Sequence, residues 1–257
     1  MAFDIRNFVI DRPVMGSFTR FGRNIWVLSD IQDASLNMTT ETQDKTDALG
    51  NVIAQFDRSK TAAFSAASGF FELDLLAEQV GSERKVASAD NKIVARFMGT
   101  VKVEEGSDKI TLPHTPINPI VEINLFEKGS QLGKAFAAAE AASETEIAQN
   151  GAEITLPTGV TSGDLFMIYD YETDEAVEID NETGKYSQPG EFTLKVLGID
   201  KCDPSTQILG YLIFGNAKLS GNTDVTFNTD MTHGFEINAN TDYCEGGRLW
   251  RLVIPGV

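Results

Sequence analysis

The chain has 257 residues, 42 % hydrophobic and 23 % charged, enough apolar material to fill one large β domain or two modest ones. Its 21 basic and 38 acidic residues give a net charge of −17, which excludes sequence-reading DNA binding, because affinity for phosphate comes from cationic side chains that displace counterions. No apolar run approaches the ~20 residues of a membrane-spanning helix, and two cysteines, Cys202 and Cys244, point to reduced structural thiols rather than a disulfide framework.

The opening stretch "MAFDIRNFVIDRPVMG" sets Asp4, Arg6 and Asp11 among its apolar residues and lacks a signal-peptide core, so the protein is expected to stay where it is made. "NIWVLSDI" (24–31) and "SLNMTTET" (35–42) are separated by Gln32, Asp33 and Ala34, a spacing that predicts a hairpin between them. In the second run Leu36, Met38 and Thr40 share one face, and Asn37, Thr39 and Glu41 share the other. Strand patterning resumes after Gly50 in "NVIAQFDRSKTAAFSA". The polar stretch between, Gln43, Asp44, Lys45, Thr46, Asp47, Ala48, Leu49 and Gly50, predicts a long mobile loop, too long for a tight turn and suited to use by a partner.

Ser68 and Gly69 then introduce "FFELDLLAEQVGS", where Phe71, Leu75, Leu76 and Val80 recur at helical spacing before a Gly81 stop. "NKIVARFMGTVKVEE", "DKITLP" and "PINPIVEINLFEKG" read as strands, the last behind Pro113, Pro116 and Pro119, which mark an edge or a connection. "GKAFAAAEAASETEIAQNG" (133–151) is Ala-rich and Gly-terminated, and predicts a half-exposed helix near a domain boundary. Short strands follow to the C-terminus: "AEITLP", "DLFMIYDY", "EAVEID", "EFTLKVLGID", "ILGYLIFGNAKLSG", "TDVTFN", "HGFEINANTD" and "RLWRLVIPG". Turn signals separate them at the spacing of an antiparallel sandwich or barrel.

The acid is concentrated in the middle of the chain, with 19 acidic and six basic residues between 101 and 200. From Asp164 to Glu182 eight acids occur without a Lys or Arg, which reads as a solvated face. "DYETDEAVEIDNETG" leads into a β pattern without the bend glycine of a calcium loop, so no metal site is called. The two histidines, His114 and His233, have no nucleophile arranged beside them, and phosphate-cradling, dinucleotide and zinc motifs are missing. The sequence calls no catalytic residue and no cofactor. Trp26 and Trp250 lie within apolar strand patterns and read as core, which weighs against a β-sandwich ligand-binding module built on exposed aromatics.

The segment from "DIQDASLNMTTETQDKTDALGN" through "FFELDLLAEQVGS" and the late "ILGYLIFGNAKLSG…RLWRLVIPG" resemble phage tail-tube (major tail) and related virion structural proteins over about two thirds of the chain. The resemblance implies a mainly β fold, an antiparallel sandwich or barrel with an early long-loop hairpin, one or two short helices and a second small β subdomain. It implies a tube-like sandwich core from 1–132 and 201–257; the segment 133–200, read as a helix plus an acidic β subdomain or insertion, is where the chain departs from the family pattern. It also implies a non-enzymatic subunit of stacked, six-membered rings around a DNA channel, with Gln43–Gly50 meeting the next subunit or ring. Asn37, Thr39, Glu41, Gln55 and Asp57 would face the lumen. The implied partners are further copies of the chain and other virion proteins (tape measure, sheath or terminator), with DNA passing unbound and no membrane anchor. The implied location is the virion, after assembly in the host cytoplasm. A head–tail connector, tail terminator or head-decoration protein shares this β pattern and stands as the alternative.

Overall fold

The computed structural model describes residues 5–127, 131–229, 231–244 and 246–256. It is mainly β, with 59 % strand and one helix. In chain order the elements begin with β1 (Phe8–Arg20), β2 (Arg23–Leu28), β3 (Gln32–Thr46), β4 (Val52–Ser68) and the helix α1 (Leu73–Val80). They continue with β5 (Lys85–Val86), β6 (Ile93–Val103), β7 (Lys109–Thr111), β8 (Glu122–Glu127), β9 (Gln131–Ala139), β10 (Glu146–Asn150) and β11 (Glu153–Thr155). The chain ends through β12 (Gly163–Thr173), β13 (Val177–Glu178), β14 (Gly190–Asp200), β15 (Asp203–Leu219), β16 (His233–Ala239) and β17 (Arg251–Val253). Two compact units result, one running up to Arg84 and again from Ile179, the other from Lys85 to Glu178.

The first unit is one antiparallel sheet in the order β2-β1-β14-β15-β16-β4-β3, with β17 added on β15. Its two edge strands are consecutive in sequence, joined only by Ser29–Ile31. Seven strands laid flat at ~4.8 Å spacing would hold those edges ~29 Å apart, whereas the link from Leu28 to Gln32 spans at most ~14 Å. The sheet therefore has to curl. Its concave side closes over Phe18, Trp26, Phe64, Phe192, Phe214 and Phe235, all buried. Their rings meet at tilted and stacked contacts such as Phe64–Phe192 at 5.1 Å and Phe18–Trp26 at 5.8 Å. Trp250 packs half-buried against the same cluster.

This topology corrects the expected hairpin between 24–31 and 35–42: β2 and β3 lie on opposite edges of the sheet. The partner of β2 is β1, to which it is tied by a tight turn at Phe21 (φ 51°) and Gly22 (φ 74°). Two consecutive positive φ values give the turn whose twist suits a hairpin.

The expected helix forms. Gly81 ends α1 in the left-handed region (φ 72°), and the N–H groups after the last turn bond back to Glu78 and Ala77 carbonyls. Leu75 enters the aromatic core. Polar groups fix the rest of the helix. Glu78 pairs with Arg20 and accepts from the Ser187 hydroxyl (3.0 Å) and the Gln188 N–H (3.2 Å). His233 of β16 is fully buried; its Nδ1 accepts from the Glu72 N–H at 3.3 Å, and its Nε2 donates to Gln79 Oε1 at 2.8 Å. That arrangement needs the neutral ring, and burial pushes the imidazole pKa below its ordinary value.

The second unit repeats the closing device. Its seven-stranded sheet runs β6-β12-β8-β9-β10-β11-β7, and its edge strands β6 and β7 are joined by residues 104–108. Ile123, Phe136, Ile147, Ile154, Leu165 and Met167 form its core. The short pair β5–β13 brings the entering and leaving chain side by side, as expected of an insertion. The second compact unit thus spans Lys85–Glu178, whereas the expected subdomain was 133–200. The expected boundary rested on the Ala-rich segment, which the structure folds as strands β9 and β10 instead of a helix. Helix propensity loses there because Phe136 is 2 % exposed opposite Ile123, inside a sheet that needs a strand between β8 and β10. Likewise β14, expected in the insertion, sits between β1 and β15 of the first unit.

Candidate functional site

The longest hairpin in the molecule is β3–β4, with arms of 15 and 17 residues. Only its base belongs to the core. At the base β4 pairs with β16 from Ala63 to Ser68, Phe64 is buried and Leu36 lies opposite it. From Asn37 to Thr61 nearly every residue of both arms is exposed on both faces. Among the described residues, the two arms pair with each other there, but neither the outer edge of β3 nor the outer edge of β4 has a strand partner. The ten residues from Asn37 to Thr46 carry this two-stranded ribbon ~33 Å beyond the core. Both edges of the ribbon thus offer unpaired backbone N–H and C=O groups, the ready-made template for pairing with another chain.

The stretch Gln43–Gly50 is not the long loop expected. Gln43, Asp44, Lys45 and Thr46 continue β3, and the turn proper is Asp47, Ala48, Leu49 and Gly50. The physical reason is Asp47. Its carboxylate accepts from the Leu49 N–H (2.9 Å), the Asn51 N–H (2.8 Å) and the Asn51 side-chain amide (3.1 Å), while Gly50 supplies the left-handed residue at φ 86°. Those bonds, the Asn51 side chain foremost, hold the Asp47 carboxyl below its ordinary pKa. A short, self-capped turn can end a ribbon that a floppy loop could not.

The five residues expected on one face divide between two. Asn37 pairs with Ala63, Thr39 with Thr61 and Glu41 with Ser59, but the next pair is Thr42 with Asp57, so Arg58 is an extra residue in β4. Such a bulge shifts the register by one and transfers every later side chain of that arm to the other face. Asn37, Thr39 and Glu41 therefore share the outward face, whereas Gln55 and Asp57 lie on the face that continues from the core. The side chains agree: Ser59 donates to Glu41 at 2.9 Å and Gln55 donates to Thr42 at 3.4 Å. Arg58 clamps the bulge through two hydrogen bonds to Gln43 Oε1 (2.8 and 2.5 Å), with its guanidinium 5.7 Å from the Phe56 ring centre. Sequence reasoning missed Arg58, and it missed the exposed apolar end made by Leu49, Val52, Ile53 and Phe56. The available signal was Val52-Ile53, two adjacent apolar residues where strict alternation allows one.

Elsewhere the sites weighed in the sequence are structural. His114 is exposed and stacks on Tyr171 at 3.8 Å, while His233 staples the helix as described. Cys202 and Cys244 are free, and both are exposed rather than built into the core. The acids of β12 point away from the core of the second unit, where Asp170 pairs with Arg96 at 2.8 Å and Asp164 and Glu172 are exposed. Among the described residues, no group of three or more His, Cys, Asp or Glu side chains could hold a metal ion, and no helix is long and apolar enough to cross a membrane.

A model of the YomU/Tube protein family matches residues 22–243, which takes in the whole ribbon, the second unit and all of the first unit's strands except β1 and β17. The chain belongs to the YomU/Tube protein family. No curated protein matches the sequence. Membership agrees with the tail-tube resemblance and marks the chain as a phage tube-type structural protein and virion component, not a member of an enzyme family. In a YomU/Tube protein, a ribbon with two open edges is the feature that needs a purpose.

Proposed function

We propose that this YomU/Tube protein is the repeating subunit of a phage tail tube, whose copies join through their β3–β4 ribbons into stacked rings, six subunits to a ring, around a channel for DNA. One observation carries the reading: residues 37–61 form an ordered ribbon, exposed on both faces and open along both edges. An isolated two-stranded ribbon is marginal in water, and an open edge invites aggregation. Pairing edge to edge with sister ribbons satisfies both, with backbone hydrogen bonds as the cement. Of the residues expected at the lumen, Asn37, Thr39 and Glu41 lie on one ribbon face and Gln55 and Asp57 on the other, so only one of these two sets lines the channel of a closed barrel of ribbons.

Charge supports the same reading. A chain at −17 offers phosphate no general attraction, so DNA slides through instead of sticking. The ribbon itself is close to neutral, with Glu41, Asp44, Asp47 and Asp57 against Lys45, Arg58 and Lys60. Copies that repel one another elsewhere can approach there, and salt should help them by screening the remainder. Tape-measure, sheath or terminator proteins are the further partners this reading implies. The test is negative-stain microscopy of the purified protein at rising concentration and ionic strength. Rings or hollow tubes are expected; a monomer under every condition contradicts the proposal.

A further inference from the structure

The first unit is curled but not sealed. Along one side of β15, from Asp203 to Gly210, no strand is paired among the described residues, because β17 covers only Tyr211–Ile213 and β16 only Ala217–Leu219. Beside that gap an apolar groove of about 410 Å³ opens between Ile10, Leu36, Val196, Leu212, Trp250 and Leu252. Its rim is wet: Ile10 is 55 % and Leu252 45 % exposed. Its only charged lining residues, Asp11 and Arg12, pair with each other at 2.8 Å.

The far end of the ribbon carries the matching chemistry. Leu49 (87 %), Val52 (58 %), Ile53 (60 %) and Phe56 (49 %) are exposed within eight residues. They cannot serve the groove of their own chain. Leu36 lines that groove, and the strand is continuous from Leu36 to Thr46, which carries the turn ~33 Å along the ribbon away from it. Only another copy's ribbon can reach. Both surfaces are near-neutral islands on a −17 molecule, so their meeting escapes the general repulsion between copies.

From these facts we infer that the groove is the receptor for the apolar ribbon end of a second copy of this chain. The contact is head-to-tail: tip of one subunit, groove of the next. Such a contact is not self-complementary and so propagates, closing into a ring or continuing along an axis. This inference rests on the tube reading and names the surface of the neighbouring subunit that receives the ribbon.

The test uses the full chain with Cys202→Ser and Cys244→Ser. One population carries Leu49→Cys; a second, distinguishable by a size tag, carries Leu252→Cys or Ile10→Cys; a control population carries Met98→Cys, an exposed site on the second unit. The two are mixed and treated with a short bis-maleimide. Docking raises the effective concentration of the two thiols, so the tip–groove heterodimer should exceed the tip–Met98 control by at least about tenfold. Adding Ile53→Asp to the Leu49→Cys chain should remove the excess while leaving its circular dichroism and melting unchanged. Tubes that assemble without the tip–groove product reject the groove as receptor and leave the tube reading standing. No product and no assembly at any concentration reject both.

Discussion

Two phenylalanines eight residues apart on one strand divide the molecule's purposes. Phe64 is 2 % exposed at the base of β4, locked among Phe192, Phe214 and Phe235. Phe56, on the same strand, is 49 % exposed beyond the core, touched by Arg58. The base of the hairpin does what strands ordinarily do, burying one face and, through β4, pairing with the rest of the sheet. The outer part does neither, and folding gains little from it. Strand length without burial is thus a sign of function outside the isolated chain. Exposed edges are normally blunted; here they are long and ordered.

Breaking the two regions separately gives opposite results. Phe64→Ala should cost about 3–5 kcal/mol, through lost burial and the cavity left behind, measured as a shift in the urea midpoint at constant slope. Gly81→Ala is next, because a Cβ there would come within 2.4 Å of the Tyr186 backbone and the residue sits at φ 72°. A loss of about 1–3 kcal/mol with α1 frayed is expected, read by denaturation and by amide exchange along the helix.

His233 sharpens the line between base and ribbon through pH. Its folded pKa lies below the ordinary value of 6.5, so the unfolded chain takes up the proton first as the pH falls. The stability that the neutral ring contributes is complete above the unfolded pKa and is lost progressively as the pH drops toward the depressed folded value. Melting temperature should therefore fall between about pH 7 and pH 5, and His233→Gln should flatten that slope. Smallest of all, Phe56→Ala should change stability by no more than about 0.5 kcal/mol, yet it should weaken assembly, seen as a higher concentration threshold for tubes by light scattering.

The sequence made the β content, the short helix and its Gly81 stop readable, because alternation and a terminator glycine are local signals. The position of β2 and β3 on opposite edges was not readable from spacing, since Ser29–Ile31 is as short as a hairpin loop and only the turn at Phe21–Gly22 shows which partner β2 takes. The Ala-rich segment misled because alanine fits either backbone, and only Phe136 and Ile147 are large buried apolar residues there. In the ribbon, the outward residues of β3 were legible by alternation. The faces of Gln55 and Asp57 were not, because the bulge at Arg58 inverts them and pairing register exists only in the fold. The turn was misjudged for a related reason: Asp47 and Asn51 read as polar loop residues until their mutual hydrogen bonds are seen.

The most direct test shortens the ribbon without touching the base. Thr42 and Asp57 face each other across the two arms, so replacing residues 43–56 with Asn-Gly leaves a hairpin that can still close. Negative-stain images of this variant and the full chain, at matched concentration and salt, read the outcome. Tubes from the full chain and well-folded monomers from the shortened one are predicted; tubes of equal abundance from both would contradict the claim that the ribbon exists to join copies.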